Sequence, residues 1–247
     1  MGRERPSVVA AVRAWWSDQR RALSRRAAAA KLVRELWEFV RDSTPERQRQ
    51  RYGDVEYDWG RAVNTTSAAV GWRDRLLGVF HSAYQPTEPG VFHEMLDSLQ
   101  LDHRKFTFVD VGSGKGRTLL MASDYPFRRI LGVELLPELN RLAQDNIRAY
   151  RSDAQKCFAI ESLCADARAF GFPTEPIVLY LFNPLYESGL EQVIKHLESS
   201  LREHPRDAFV LYHNPLLAHV IEQERSWVKL ASTVQYSAYR FATCSSR

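Results

Sequence analysis

The fold is decided by residues 108–117, which read Phe-Val-Asp-Val-Gly-Ser-Gly-Lys-Gly-Arg. A short apolar run ending in an acid is typical of a buried strand, and glycines at alternate positions predict a sharp turn into a helix. Glycine is needed there because the backbone turns tightly and approaches a ligand without Cβ atoms in the way. We therefore expect a strand, a ligand-binding loop and a helix.

Apolar strands and helices alternate on both sides of this stretch. The predicted strands are 106–111, 130–134, 158–163, 177–182, 208–212, 227–231 and 237–243. The predicted helices are 91–99, 117–123, 137–150, 190–201 and 216–222. Near-continuous apolar strands separated by helices indicate a mostly parallel sheet covered on both faces, and the last two strands, which no crossover helix separates, indicate an antiparallel hairpin. The fold class is α/β, a Rossmann-like seven-stranded sheet with an antiparallel last strand.

Two further acids follow the second and third strands. Glu134 lies eighteen residues beyond Gly116, where it can accept hydrogen bonds from ribose hydroxyls. Asp166 can accept from an adenine amino group, with the neighbouring backbone reading the ring. Carboxyl ends of parallel strands meet at the edge where such folds bind ligands. The predicted cofactor-binding residues are Asp110, Gly112, Ser113, Gly114, Gly116, Glu134, Asp166 and Ala167.

The charges near the glycine loop distinguish between the possible nucleotide ligands. A dinucleotide fingerprint needs glycine where Arg117 stands, and Asp110 would lie unfavourably close to a pyrophosphate. The phosphate-binding pattern G-x-x-x-x-G-K-[ST] is absent, although Lys115 superficially resembles its lysine. S-adenosylmethionine (AdoMet) presents an ammonium and a sulfonium, which an acid at this position favours. AdoMet is therefore predicted over NAD or ATP, and no carboxylate cluster suggests a metal.

These motifs closely resemble those of the class I AdoMet-dependent methyltransferases over about residues 85–243. The resemblance implies that Asp110 and the glycine loop surround the methionine part of the cofactor, while Glu134 holds the ribose and Asp166 the adenine. The lead-in at 84–89, Tyr-Gln-Pro-Thr-Glu-Pro, resembles a narrower group that includes the non-SET histone-lysine methyltransferases. The same layout recurs in bacterial proteins of unassigned substrate, which are the nearest match.

The fourth strand ends in Asn183-Pro184-Leu185-Tyr186, which resembles the [DNS]-P-P-[YF] motif of amino-group methyltransferases. That resemblance implies that Asn183 accepts a hydrogen bond from the target amine while Tyr186 stacks on a planar substrate. Leu185 replaces the second proline, which loosens the geometry and weakens the case for a nucleobase.

A second Asn-Pro pair, Asn214-Pro215, follows His213 at the end of the fifth strand. Asn214 is either a second amide on the substrate side or a turn residue that ends the strand, and we favour the turn. His213 is a candidate general base, with an ordinary pKa near 6.5, or a structural histidine. His81 and Tyr84 are candidates for lining the substrate pocket.

The first fifth of the chain carries the basic charge. Residues 1–50 contain 12 Lys and Arg against 6 Asp and Glu, and helical spacing predicts two helices there, one of them with an apolar stripe at Ala30, Val33, Leu36, Trp37 and Val40. The predicted division is a basic helical extension at 1–50, a lead-in at 51–90 that covers the active site, and a methyltransferase domain at 91–247. Helices that pack on the domain are preferred, with weak contact to an anionic surface as the other reading.

Several absences bear on the compartment. The sequence has no C-x-x-C pair, no secretory leader and no apolar run near 18 residues, so we expect a cytoplasmic protein. The predicted function is methyl transfer from AdoMet to nitrogen or oxygen, with a protein lysine preferred over a small metabolite. The alternative is a non-catalytic AdoMet- or nucleotide-binding module that docks on a membrane or a nucleic acid through its basic helices.

Overall fold

The computed structural model describes residues 8–41, 55–65 and 87–242. The helices in these ranges are α1 (Val8–Ala22), α2 (Arg25–Arg41), α3 (Val55–Arg61), α4 (Pro89–Asp97), α5 (Arg117–Ala122), α6 (Pro137–Ala149), α7 (Glu187–Glu203) and α8 (Ala218–Glu222). The candidates His81 and Tyr84 lie outside the described residues. No helix in the described ranges is long and apolar enough to cross a membrane.

The described residues form a sheet of seven strands in the order β3-β2-β1-β4-β5-β7-β6. The strands are β1 (Thr107–Val111), β2 (Arg129–Glu134), β3 (Ile160–Cys164), β4 (Ile177–Leu181), β5 (Ala208–His213), β6 (Trp227–Ser232) and β7 (Tyr236–Phe241). The first five strands are parallel, and β7 runs antiparallel to both β5 and β6. This topology confirms the predicted fold class. It was predictable because apolar alternation and connection length are local properties of the chain.

The parallel centre of the sheet is covered on both faces. Every residue of β1 and β4 is buried, which explains why these strands read as unbroken apolar runs. Side chains alternate between faces, so the residues of β1, β4 and β5 that share a face with Phe92 of α4 are Phe108, Asp110, Val178, Tyr180, Phe209, Leu211 and His213. This register brings polar groups from three strands to one face at the carboxyl edge.

The two N-terminal helices contact each other. Lys31 Nζ donates to Gln19 Oε1 at 2.8 Å, and Ala28 is fully buried. Val33 and Trp37, which belong to the predicted apolar stripe, are each 66% exposed. Two of the five stripe residues are therefore exposed, and spacing alone does not tell which face a helix buries.

Helix α3 was not predicted, since its seven residues contain a glycine and are too few to be stable alone. Tertiary contacts hold it. Tyr57 and Asp58 are buried, and the Tyr57 ring receives the guanidinium groups of Arg61 and Arg117 at 4.3 and 4.2 Å from its centroid. Cation–π contacts of this kind connect the lead-in to the sheet domain.

Candidate active site

The glycine loop joins β1 to α5 and lies against the turn that follows β4. Gly112, Gly114 and Gly116 have φ values of 80°, 54° and 81°. A Cβ at Gly112 would lie 2.6 Å from Pro184 Cβ, so both conformation and close approach require glycine there. The predicted cofactor loop and the predicted substrate motif are therefore in direct contact.

Glu134 ends β2 and holds the glycine loop. Its side chain accepts hydrogen bonds from Gly114 N at 2.9 Å and from Leu136 N at 2.7 Å, one on each carboxylate oxygen. Burial raises the pKa of Glu134, and the backbone donors oppose that rise. Each carboxylate oxygen can accept a further hydrogen bond, which is what two ribose hydroxyls require. The arrangement fits the predicted role of Glu134.

Asp110 is a buried acid of β1, on the face of the sheet that packs against α4, and it accepts a hydrogen bond from Thr118 Oγ1. Burial raises the pKa of Asp110 to about 7, the Thr118 hydroxyl lowers it, and the charge of Glu134 raises it further. A buried carboxylate without a cationic partner is costly, and an ammonium group beside it would restore its ordinary pKa. The methionine end of AdoMet carries such a group, so the residue fits that cofactor.

The raised pKa of Asp110 predicts a pH dependence of stability. The folded protein binds this proton more tightly than the unfolded chain, whose aspartate pKa is about 3.9. The stabilisation is therefore fully present below about pH 4 and is lost as the pH rises through about 7. Chemical denaturation of the ligand-free protein should show the free energy of unfolding falling across this range, and Asp110→Asn should flatten the fall. Parallel pH profiles for the two proteins would contradict the assignment.

Two other predicted cofactor residues are placed less favourably. Ser113 Oγ is buried with no hydrogen-bond partner, and a Cβ built on Gly132 would meet it at 2.6 Å, so the hydroxyl faces the sheet. Asp166 accepts three hydrogen bonds from the Arg168 guanidinium, at 2.9 and 3.1 Å from Nε and at 2.6 Å from Nη2, and one from Arg168 N. Adenine binding by Asp166 stays a prediction, and Arg168 is a neighbour that the motif did not reveal. Ala167, beside it, is buried.

The two Asn-Pro pairs, Asn183-Pro184 and Asn214-Pro215, form one structure, which we call the acceptor rim. Asn183 Nδ2 donates to Asn214 O at 2.7 Å, and Asn183 Oδ1 accepts from Tyr212 Oη at 2.9 Å. Both asparagines have positive φ, 44° and 48°. The Asn183 amide is thus oriented by two contacts, and its oxygen retains capacity for a further donor. Asn214 acts through its backbone carbonyl, and its side chain is exposed.

Tyr186 and Tyr212 flank the acceptor rim. Tyr186 immediately precedes α7, and its carbonyl accepts from the first turn of that helix at Gly189 and Leu190, both at 3.0 Å. Tyr212 was not predicted as a site residue, because nothing local in β5 shows that its hydroxyl reaches Asn183. Its hydroxyl also accepts from Leu217 N at 3.3 Å.

His213 lies on the opposite face of β5 from Tyr212. Its Nδ1 is 2.9 Å from Tyr180 Oη, and its ring stacks on Phe182 with centroids 4.0 Å apart. Burial lowers the pKa of His213 to about 4, so the ring is neutral near pH 7 and a weak base. The sequence argument for a general base assumed an unshifted pKa, and that assumption does not hold here.

Arg117, which distinguishes the loop from a dinucleotide fingerprint, has a structural role. Its buried guanidinium donates from Nε to Thr87 O at 2.9 Å and from Nη1 to Thr65 Oγ1 at 3.2 Å. Nη1 also lies 4.0 Å from Asp58 Oδ1, and both side chains are almost fully buried. The residue after the glycine loop therefore binds both Thr65 and Thr87.

Lys115 is also turned away from the ligand edge. It is fully buried, and its Nζ donates to Asn64 Oδ1 at 3.3 Å. Burial lowers the pKa of Lys115 to about 8, partly offset by the charges of Asp58 and Glu138. The lysine joins the lead-in to the loop, which agrees with rejecting a phosphate-binding pattern.

Comparisons with known proteins give one family match and a set of similar solved structures. A family model described as histone methylation protein DOT1 matches residues 79–169, and no curated protein matches the chain. Similar solved structures include a ribosomal protein L11 methylase from Lactobacillus delbrueckii subsp. bulgaricus, with 17% identity, 60% of this chain and 75% of that chain covered, and a TM-score of 0.43. Another is an RNA methyltransferase from Salinibacter ruber in complex with S-adenosyl-L-homocysteine, with 22% identity, 63% and 92% coverage, and a TM-score of 0.38.

The family match over residues 79–169, the strand order and the glycine loop between buried acids together support a class I AdoMet-dependent methyltransferase. The geometry of the acceptor rim bears on which molecule accepts the methyl group.

Proposed function

We propose that the protein transfers a methyl group from AdoMet to the nitrogen of an amine, with a lysine side chain of a protein as the preferred acceptor. The observation that carries the proposal is the contact between Gly112 and Pro184. It places a loop lined by buried acids against an oriented asparagine amide, so a cofactor and an acceptor would meet at one edge of the sheet.

The cofactor side would hold AdoMet through three kinds of group. Asp110 would face the ammonium, Glu134 the ribose hydroxyls, and the glycine loop would allow close approach of the backbone. When bound, AdoMet supplies an electrophilic methyl group on a sulfonium. The polypeptide contributes binding and orientation, and orientation of this kind supplies much of the rate in a displacement reaction.

The acceptor side is built from neutral hydrogen-bonding groups. Asn183 Oδ1 can accept one N–H of an amine, which would turn the nitrogen lone pair toward the cofactor. Tyr186 and Tyr212 border the same rim, and burial raises the pKa of Tyr212 to about 12, so its phenol stays neutral. A lysine amine is favoured over a nucleobase because Leu185 departs from the nucleobase motif, and because the matched family model concerns histone methylation.

The proposal is tested with methyl-labelled AdoMet and three acceptors of different chemistry: a lysine-rich protein mixture such as core histones, a small metabolite pool, and an adenine-containing oligonucleotide. We expect label on protein lysine. Asn183→Ala should lower turnover by about tenfold or more while affinity for S-adenosyl-L-homocysteine is unchanged, since loss of one positioning contact affects the transition state selectively. Asn214→Ala is the matched control and should retain activity.

Label on the oligonucleotide alone would overturn the amine assignment. Cofactor binding with no transfer to any acceptor would favour the non-catalytic module that docks through its basic helices.

The hydroxyl of Tyr212 gives a second prediction. Tyr212→Phe removes the donor to Asn183 and the partner of Leu217 N, so we expect about 1 kcal/mol lower stability and slower methyl transfer. Tyr239 on β7 carries a comparable hydroxyl, which donates to Glu222 at 3.0 Å. Tyr239→Phe should therefore lower stability by a similar amount without slowing methyl transfer. Denaturation and labelled-methyl assays measure both effects. Equal slowing in both variants would contradict an orienting role for Tyr212.

A further inference from the structure

A buried chain of hydrogen bonds runs from the lead-in to the acceptor rim. Thr87 Oγ1 is 2.9 Å from Tyr180 Oη, which is itself 2.9 Å from His213 Nδ1. Thr87 and Tyr180 are 3% and 1% exposed, and His213 is 9% exposed. Three groups from three separate parts of the chain thus share two hydrogen bonds in a site from which water is largely excluded.

The number of protons fixes the direction of these bonds. Tyr180 has one hydroxyl proton, and burial keeps its phenol protonated by raising its pKa. If His213 donated from Nδ1, Tyr180 would donate to Thr87, and the buried Thr87 proton would have no partner among the described residues. If Thr87 donates to Tyr180 and Tyr180 donates to Nδ1, both hydroxyl protons are satisfied. It leaves His213 Nε2–H without a protein partner instead, but Nε2 is not among the fully buried unpaired atoms of the described residues, whereas Thr87 is only 3% exposed. The second arrangement is favoured because an unmade hydrogen bond costs most where the group is fully buried.

This direction determines the tautomer of His213. Nδ1 accepts a proton and therefore carries none, so the ring hydrogen of the neutral imidazole is on Nε2. Within residues 87–242, Nε2 has no hydrogen-bond partner. The described residues that we place against the ring are uncharged. They are Phe182 stacked on it, Tyr180 on β4 and Tyr236 opposite it on β7.

We propose that His213 is a fixed hydrogen-bond donor at the acceptor rim, presenting Nε2–H to an oxygen of the acceptor molecule rather than removing a proton from it. The inference rests on the proposed function and narrows the acceptor class. The acceptor would carry a carbonyl or carboxylate oxygen within the length of a lysine side chain from the methylated amine, as a lysine-containing peptide does and a simple alkylamine does not. A neutral histidine also adds no positive charge of its own to the rim, where such a charge would repel an ammonium.

The tautomer can be measured without knowing the acceptor. In protein labelled with ¹⁵N-histidine and saturated with S-adenosyl-L-homocysteine, two-bond ¹H–¹⁵N correlations should show His213 as the Nε2–H form. That form should persist well below the ordinary histidine pKa of about 6.5. Tyr180→Phe and Thr87→Val should each convert it toward a mixture. A predominant Nδ1–H form, or protonation of His213 near pH 6.5, would overturn the proposal.

Testing whether His213 donates to an acceptor molecule requires a ligand. Nα-acetyl-L-lysine methylamide is the probe, and n-butylamine, which lacks carbonyl oxygens, is the comparison compound. His213→Leu should weaken probe binding to the S-adenosyl-L-homocysteine complex by up to about tenfold, whereas His213→Gln, which keeps an N–H donor, should restore most of it. Equal probe affinity in wild type and His213→Leu would overturn the donor role. Failure of S-adenosyl-L-homocysteine itself to bind would contradict the proposed function instead, and calorimetry reports that separately.

Discussion

Arg117→Met should lower the free energy of unfolding by about 3–5 kcal/mol, the range for removing one partner of a buried ion pair. The guanidinium donates to Thr87 O and Thr65 Oγ1 and lies 4.0 Å from Asp58, all in the interior. Methionine fills much of the volume but removes the guanidinium charge beside the Asp58 carboxylate. It also leaves a backbone carbonyl without its donor.

Urea denaturation of the full chain measures this effect, and Arg141→Met is the control. Arg141 makes an exposed ion pair with Asp145 at 2.9 Å, and such pairs contribute about 1 kcal/mol or less. The double variant Asp58→Asn with Arg117→Met should recover part of the lost stability, because the buried Asp58 charge that faced Arg117 is removed as well. If Arg117→Met lowers the free energy of unfolding by less than about 1 kcal/mol, the buried contacts of Arg117 with the lead-in do not form.

Glu134→Ala should weaken binding of S-adenosyl-L-homocysteine by about 100-fold or more, since hydrogen bonds to a charged group are worth about 1.5–3 kcal/mol each and two ribose hydroxyls are involved. The variant also leaves Gly114 N and Leu136 N without their acceptor, so the loop loses its support together with its ligand contact.

Calorimetric titration measures the affinity, and two variants separate the causes. Glu134→Gln keeps the size of the side chain and one carbonyl oxygen, so its loss should be smaller. Glu161→Ala removes an exposed acid from the neighbouring strand and should leave affinity unchanged. A change below about threefold in Glu134→Ala would mean that the ribose does not lie at the end of β2.

Local patterns in the sequence predicted the sheet and the loop well. The acid and glycines at 110–116 and the acid at 134 lie within continuous stretches of chain, so spacing alone brings them to one edge. The acceptor rim was half predicted. Both Asn-Pro pairs were visible as motifs, but the hydrogen bond from Asn183 to Asn214 depends on the pairing of β4 with β5, which no local pattern contains.

Long-range polar contacts account for what the sequence did not reveal. The Thr87–Tyr180–His213 chain joins residues 93 and 33 positions apart, and the Arg117–Thr65 contact spans 52. Helix α3 has little intrinsic helical preference and depends on such contacts. A shifted pKa, as at His213, follows from burial and is likewise a property of the assembled fold.

The most direct test of the account is thermal unfolding of the purified chain with AdoMet, S-adenosyl-L-homocysteine and NAD in parallel. A ligand at a hundredfold excess over its dissociation constant adds about 2.7 kcal/mol to the stability of the folded state. The account predicts a clear rise in melting temperature with AdoMet and with S-adenosyl-L-homocysteine, and none with NAD. A rise with NAD alone, or with none of the three, would contradict the assignment of the buried acids and glycine loop to AdoMet.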